Sequence, residues 1–95
     1  MKRQGIRLKI WPEYFEKKIT GVKSWELRFD DYGFMEGESI LFQEWDPETE
    51  RYTGRELLAN ITFVYKIPSM FGLENWVILS DDSHTKTLNI YSKSK

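Results

Sequence analysis

A chain of 95 residues with 14 Lys and Arg against 15 Asp and Glu has room for one domain. Its formal charge of −1 gives no general attraction to duplex nucleic acid or to an anionic membrane. It has no cysteine, which excludes disulfides, cysteine-based zinc sites and thiol nucleophiles together.

In chain order, residues 5–10 alternate Ile6, Leu8 and Ile10 against Arg7 and Lys9, a first strand with an open basic face. Pro12 suits a first helical position and Glu13 the positive end of the helix dipole, while Phe15, Ile19 and Val22 keep i, i+4, i+7 spacing. This predicts a helix over 12–20 with Gly21 as its left-handed cap. Residues 24–29 follow as a strand whose alternation sends Trp25, Leu27 and Phe29 to one face and Glu26 and Arg28 to the other, with Lys23 at the entry.

A polar turn over 30–37 contains Gly33 and Gly37, and 39–45 is a strand of nearly continuous apolar character. Asp46-Pro47-Glu48-Thr49-Glu50 is a turn that reverses the chain. Residues 51–56 restart the sheet with Gly54 as a bulge or bend. Residues 57–65 continue it as a long strand with Leu57, Ala59, Ile61, Phe63 and Tyr65 on one side. Pro68 and Gly72 make 66–75 a loop with one helical turn near Met70, and 76–80 is a short strand of the buried type. Residues 81–84 form a turn, 85–92 alternate as a last edge strand, and 93–95 are a frayed end.

There is no apolar leader pattern near the start and no run approaching about 18 apolar residues, so a soluble cytoplasmic protein is expected. The fold class is α+β: a single domain over 1–95, a small mixed β-barrel of about six strands or a strongly bent sheet, with the early helix at an open end.

The chemistry-bearing side chains are Lys9 on the first strand, Lys23, Glu26 and Arg28 after the helix, and Glu44 and Trp45 at the end of the third strand. With these strands adjacent, they make a mixed Lys/Arg/Glu cleft with an aromatic wall. Such a cleft suits a nucleotide or single-stranded RNA: cations meet phosphate, a carboxylate accepts from a base amino group, and an indole stacks on a base. Trp45 and Tyr52 flank the 46–50 turn as further stacking candidates. The competing reading makes Glu26 and Arg28 cross-strand ion pairs worth under about 1 kcal/mol each, and the aromatics core. His84 stands alone in a polar, exposed turn, and Glu44, Asp46, Glu48 and Glu50 match no calcium loop, so no metal or cofactor is expected.

Residues 21–28, Gly-Val-Lys-Ser-Trp-Glu-Leu-Arg, resemble the Gly-x-Lys-x-x-Glu-x-Arg signature of the ASCH domains, which belong to the PUA-like superfamily of small β-barrels associated with RNA. Four further blocks, 8–15, 37–41, 43–47 and 52–56, are similar in order to a bacterial and phage family of ASCH-like proteins, domain-of-unknown-function family 3850, over about residues 6–80. The resemblance implies a PUA-like barrel whose cleft beside the helix is lined by Lys23, Glu26 and Arg28. The sequence departs from that pattern at Tyr32, where a basic residue is usual, and at Ile6, where the family carries histidine.

Three functions follow as expectations. The first is binding of RNA or a nucleotide. The second is an amidohydrolase acting on a modified nucleoside such as N4-acetylcytidine, with Lys23 and Glu26 activating water. In the hydrolytic branch of ASCH proteins a Thr stands in the place of Glu26. The third is a protein-interaction module using Trp45 and Tyr52.

Overall fold

The computed structural model describes residues 6–83 and 90–92. Six strands and one α-helix run in the order β1 (Ile6–Ile10), α1 (Pro12–Ile19), β2 (Trp25–Phe29), β3 (Ser39–Asp46), β4 (Arg51–Lys66), β5 (Trp76–Asp81) and β6 (Ile90–Ser92), with a 3-10 turn at Ser69–Phe71 between β4 and β5. The expectations for His84, the first part of the last strand and the frayed end lie outside the described residues. No helix among the described residues is long and apolar enough to cross a membrane.

β1 pairs in parallel with β3, a geometry that needs a long crossover, here supplied by α1 and β2. The path then runs antiparallel through β4 and β5 to β2, while β6 joins β4 at residues 55–57. The 16-residue β4 is the shared element: residues 51–60 pair with β3 and residues 61–66 with β5, so the sheet turns through it. Gly54 has φ of 97° where the β3–β4 register slips, the bend its position predicts.

The expected barrel does not close. β1 and β2 are the two ends of the strand path, and among the described residues no ladder joins them. The Arg28 guanidinium donates to the Lys9 carbonyl at 2.8 Å, so a side chain holds an acceptor that a β1–β2 ladder would use. The result is an open, bent sheet with a seam between its first and last strands.

The core lies on the inner face. Ile6, Leu8 and Ile10 of β1, Ile40 and Phe42 of β3, Leu57, Ala59 and Ile61 of β4, and Val77 and Leu79 of β5 pack there against Phe15 of α1. Trp11 accepts the first helical hydrogen bonds through its carbonyl and Pro12 opens the helix, as its fixed φ favours. At the other end Gly21 is left-handed at φ 81° and donates to the Lys18 carbonyl. Val22, spaced as the third apolar residue of the helix face, lies past that cap and is exposed.

Two strands depart from apolar-in, polar-out. On β2 the alternation holds but is inverted: Glu26 is buried, whereas Trp25, Leu27 and Phe29 are 47%, 46% and 49% exposed. On β4 a register shift between Ile61 and Phe63 moves the apolar row across the sheet, so Leu57, Ala59 and Ile61 are buried but Phe63 and Tyr65 face out. The single face expected for 57–65 is therefore split, and Val64 packs against the core in their stead.

Candidate functional site

The site begins at the helix cap. The left-handed turn at Gly21 lets the Lys23 N–H donate back to the Lys17 carbonyl at 3.0 Å, which fixes where the Lys23 side chain leaves the chain. Its ammonium donates to the Trp25 carbonyl at 2.9 Å and to Glu26 Oε2 at 2.6 Å, and lies 4.6 Å from the centre of the Trp25 ring and 5.3 Å from that of Tyr14.

Glu26 is the hub. Its Oε2 also meets Lys18 Nζ at 3.1 Å, and its Oε1 meets Arg28 Nη2 at 3.4 Å. Lys18, fully buried on α1, donates to Asp81 Oδ2 at 2.8 Å and sits 4.5 Å from the Phe42 ring centre. The Ser83 N–H donates to the other oxygen of Asp81. Burial alone would push the Glu26 carboxyl up, but Lys18, Lys23 and Arg28 together outweigh it and hold the group below the ordinary glutamate value of 4.5.

The sign of the linkage follows. A depressed folded-state pKa contributes stability that is present above the unfolded value and lost as pH falls through the folded one. Resistance to chemical denaturation is therefore expected to be flat near neutrality and to decline below about pH 4.5, and Glu26→Gln is expected to shrink that decline. Urea midpoints measured from pH 7 down to about pH 3 check this, and a wild-type midpoint that does not move over that range contradicts it.

Around this cluster the seam is concave. One hollow of about 320 Å³ is lined by Lys9, Ile10, Trp11, Tyr14, Glu26 and Arg28. A second, of about 590 Å³, shares Tyr14, Glu26 and Arg28 with it and extends past Lys23 and Trp25 along β2 to Leu27, Phe29 and Trp76. Trp11 and Tyr14 are 46% and 37% exposed, so rings stand beside the charged cluster with faces open to solvent.

Of the residues singled out from sequence, Lys23, Glu26 and Arg28 come together in the seam. Lys9 joins them by its carbonyl and by lining the hollow, but its ammonium turns to the outer surface, 4.2 Å from the Trp45 ring centre and 6.0 Å from that of Tyr52. Trp45 and Tyr52 are direct partners across the β3–β4 ladder and form that separate outer platform.

Glu44 belongs to a third cluster. It accepts two hydrogen bonds from Arg55, at 2.9 and 2.8 Å, and one from the Thr53 hydroxyl. Arg55 reaches on to Glu16 of α1 at 2.6 Å, and its guanidinium lies 4.6 Å from the Phe15 ring centre. The Arg55 hydrogen bonds hold Glu44 below its ordinary range against the effect of its burial, and Glu44 in turn raises Arg55. This group fastens the helix to the sheet.

At the two family departures, Ile6 is a core residue and Tyr32 packs its ring 5.3 Å from that of Phe34, away from the hollow-lining residues. Lys18 and Asp81 were not singled out from sequence. Lys18 stands three residues after Phe15 and beside Ile19, so helical spacing already places it on the core-facing stripe, where a lysine needs a buried carboxylate. Asp81 carried no comparable signal.

An inward-turned charged strand, capped by a helix and left open at a seam, defines a small α+β domain built around a buried ionic hub. The model for the domain of unknown function DUF3850 matches residues 6–80, and the chain belongs to that family. No curated protein matches the chain.

Proposed function

We propose that this chain is an ASCH-type domain of the PUA-like group and that it binds a nucleotide or a short single-stranded RNA segment along the seam, in the cytoplasm. The observation that carries the reading is a local surplus of cation inside a ring-walled hollow, on a chain whose net charge is −1. Lys23 and Arg28 line the hollows with one carboxylate, Glu26, while Lys18 and Asp81 pair in the interior behind it, so among the described residues three cations meet two carboxylates. The Lys23 and Arg28 side chains remain 17% and 27% exposed, so both can meet a phosphate without leaving the cluster. Trp11, Tyr14 and Trp25 offer stacking faces, and Glu26 can accept from a base amino group.

The hydrolase reading has less support. Three cations lower the proton affinity of Glu26, and the Lys23 ammonium is already committed to Glu26 and to a backbone carbonyl, so neither is poised as a base. Turnover of N4-acetylcytidine that vanishes in Lys23→Ala would reverse that preference.

Fluorescence anisotropy with short single-stranded RNA at two salt concentrations tests the binding reading. Saturable binding at micromolar concentration that weakens as salt rises is expected. The absence of any salt-dependent signal up to high micromolar chain refutes it.

A further inference from the structure

The inverted β2 and the register shift in β4 have one joint product, an apolar outer sheet face. Trp25, Leu27 and Phe29 of β2 lie directly opposite Ser80, Ile78 and Trp76 of β5, and Ser80 and Ile78 lie opposite Phe63 and Tyr65 of β4. Residues opposite one another on antiparallel strands share a face. Phe63 and Tyr65 are 51% and 46% exposed, much like the three β2 residues, and Phe29 meets Trp76 edge-on at 6.0 Å. These rows contain no charged side chain.

We propose that this face is a self-association surface, covered in solution by the same face of a second copy of the chain. Area supports that occupant. Half-exposed aromatic and leucine side chains leave roughly 100 Å² open apiece, so the patch offers about 500 Å² per copy, near the upper end of what a soluble monomer leaves uncovered. Two such patches bury about 1,000 Å², the size at which specific interfaces begin.

Charge supports it as well. The centre of the patch carries no charged side chain, with Lys23 at its Trp25 edge, and an apolar centre depleted of charge is what homodimer interfaces carry. β5 is the middle strand of the three. A two-fold axis along it lays β2 of each copy over the far end of β4 of the other, so the exposed rings cover one another in a face-to-face sheet packing. The inference does not rest on the ligand assigned to the seam, but the two surfaces share a wall. Trp25, Leu27, Phe29 and Trp76 of the face also line the larger hollow, so association covers one wall of that hollow in each copy.

Sedimentation velocity of the full chain across a low- to high-micromolar series, without ligand, is the test. A shift from 11.4 kDa toward twice that mass is expected as concentration rises, with a parallel blue shift of tryptophan emission as Trp25 and Trp76 lose water. Leu27→Lys and Phe63→Lys each replace an already exposed side chain, and each is expected to weaken self-association roughly thirtyfold or more. Near-UV circular dichroism verifies that the variants are folded. A wild-type chain that stays monomeric throughout the series overturns the proposal, whether or not it binds neutral lipid vesicles or another protein. So does a dimer whose affinity survives both lysine substitutions. If neither variant folds, the wild-type mass and emission series decides alone.

Discussion

Lys18→Met is expected to lower folding stability by about 3–5 kcal/mol, the range found when one partner of a buried ion pair is removed. Lys18 is fully buried, and its ammonium is shared between Asp81 at 2.8 Å and Glu26 at 3.1 Å. Methionine nearly matches the aliphatic stem, so the packing against Phe42 is largely kept and the loss is electrostatic. Without the ammonium, Asp81 keeps the Ser83 N–H as the one partner of its carboxylate among the described residues, and two carboxylates confront each other in a buried place. For a domain of this size each kcal/mol moves Tm by roughly 4–8 °C, so the drop is easily read by calorimetry.

The pH dependence of the variant separates this account from a simple packing defect. The Lys18 charge is the largest single effect that holds the Glu26 carboxyl down, so its removal lessens that depression and the decline in stability below about pH 4.5 should be shallower in the variant than in the wild type. A loss under about 1 kcal/mol, or one that does not change with pH, is incompatible with a buried ionic hub. Combining Lys18→Met with Glu26→Gln and Asp81→Asn should recover much of the loss, since replacing a whole buried ionic group is far less damaging than halving it.

The same hub explains what could and could not be read from the sequence. Period-two alternation correctly groups Trp25, Leu27 and Phe29 against Glu26 and Arg28, but a period says only which side chains share a face. Which face turns inward was settled by Lys18 and Asp81, residues 8 positions before Glu26 and 55 after it. Local signals were reliable where the backbone itself is constrained: Gly21 caps the helix, Gly54 bends β4, and the 46–50 turn reverses the chain. They do not mark the shift near Thr62, where no glycine or proline stands, so period-two spacing puts Phe63 and Tyr65 on one side with Leu57, Ala59 and Ile61, a row they leave. Glu44 was a reasonable cleft candidate by its place at the end of β3. Its partner Arg55, one residue past the Gly54 bend, claims it instead.

Barrel closure was illegible for a related reason. Whether two edge strands zip together depends on the groups that reach the gap, and here β2 sends a guanidinium across it to β1. That makes Arg28 the residue on which the seam and the proposed ligand site both turn. Its Nη2 bonds the Lys9 carbonyl at 2.8 Å and approaches Glu26 at 3.4 Å, while 27% of its side chain stays open to the hollow. Arg28→Ala is expected to weaken binding of short single-stranded RNA by about tenfold or more and to reduce the slope of log affinity against log salt by about one unit, as loss of one phosphate contact requires. Arg28→Lys should restore the charge and most of the salt slope. It should recover affinity only in part, because an ammonium lacks the planar fork that can hold Lys9, Glu26 and a phosphate oxygen together. Stability should fall modestly in Arg28→Ala, since Glu26 keeps Lys18 and Lys23. An alanine variant that binds as tightly as the wild type, with an unchanged salt slope, would place the ligand elsewhere, and the Lys9, Trp45 and Tyr52 platform would be the next surface to mutate.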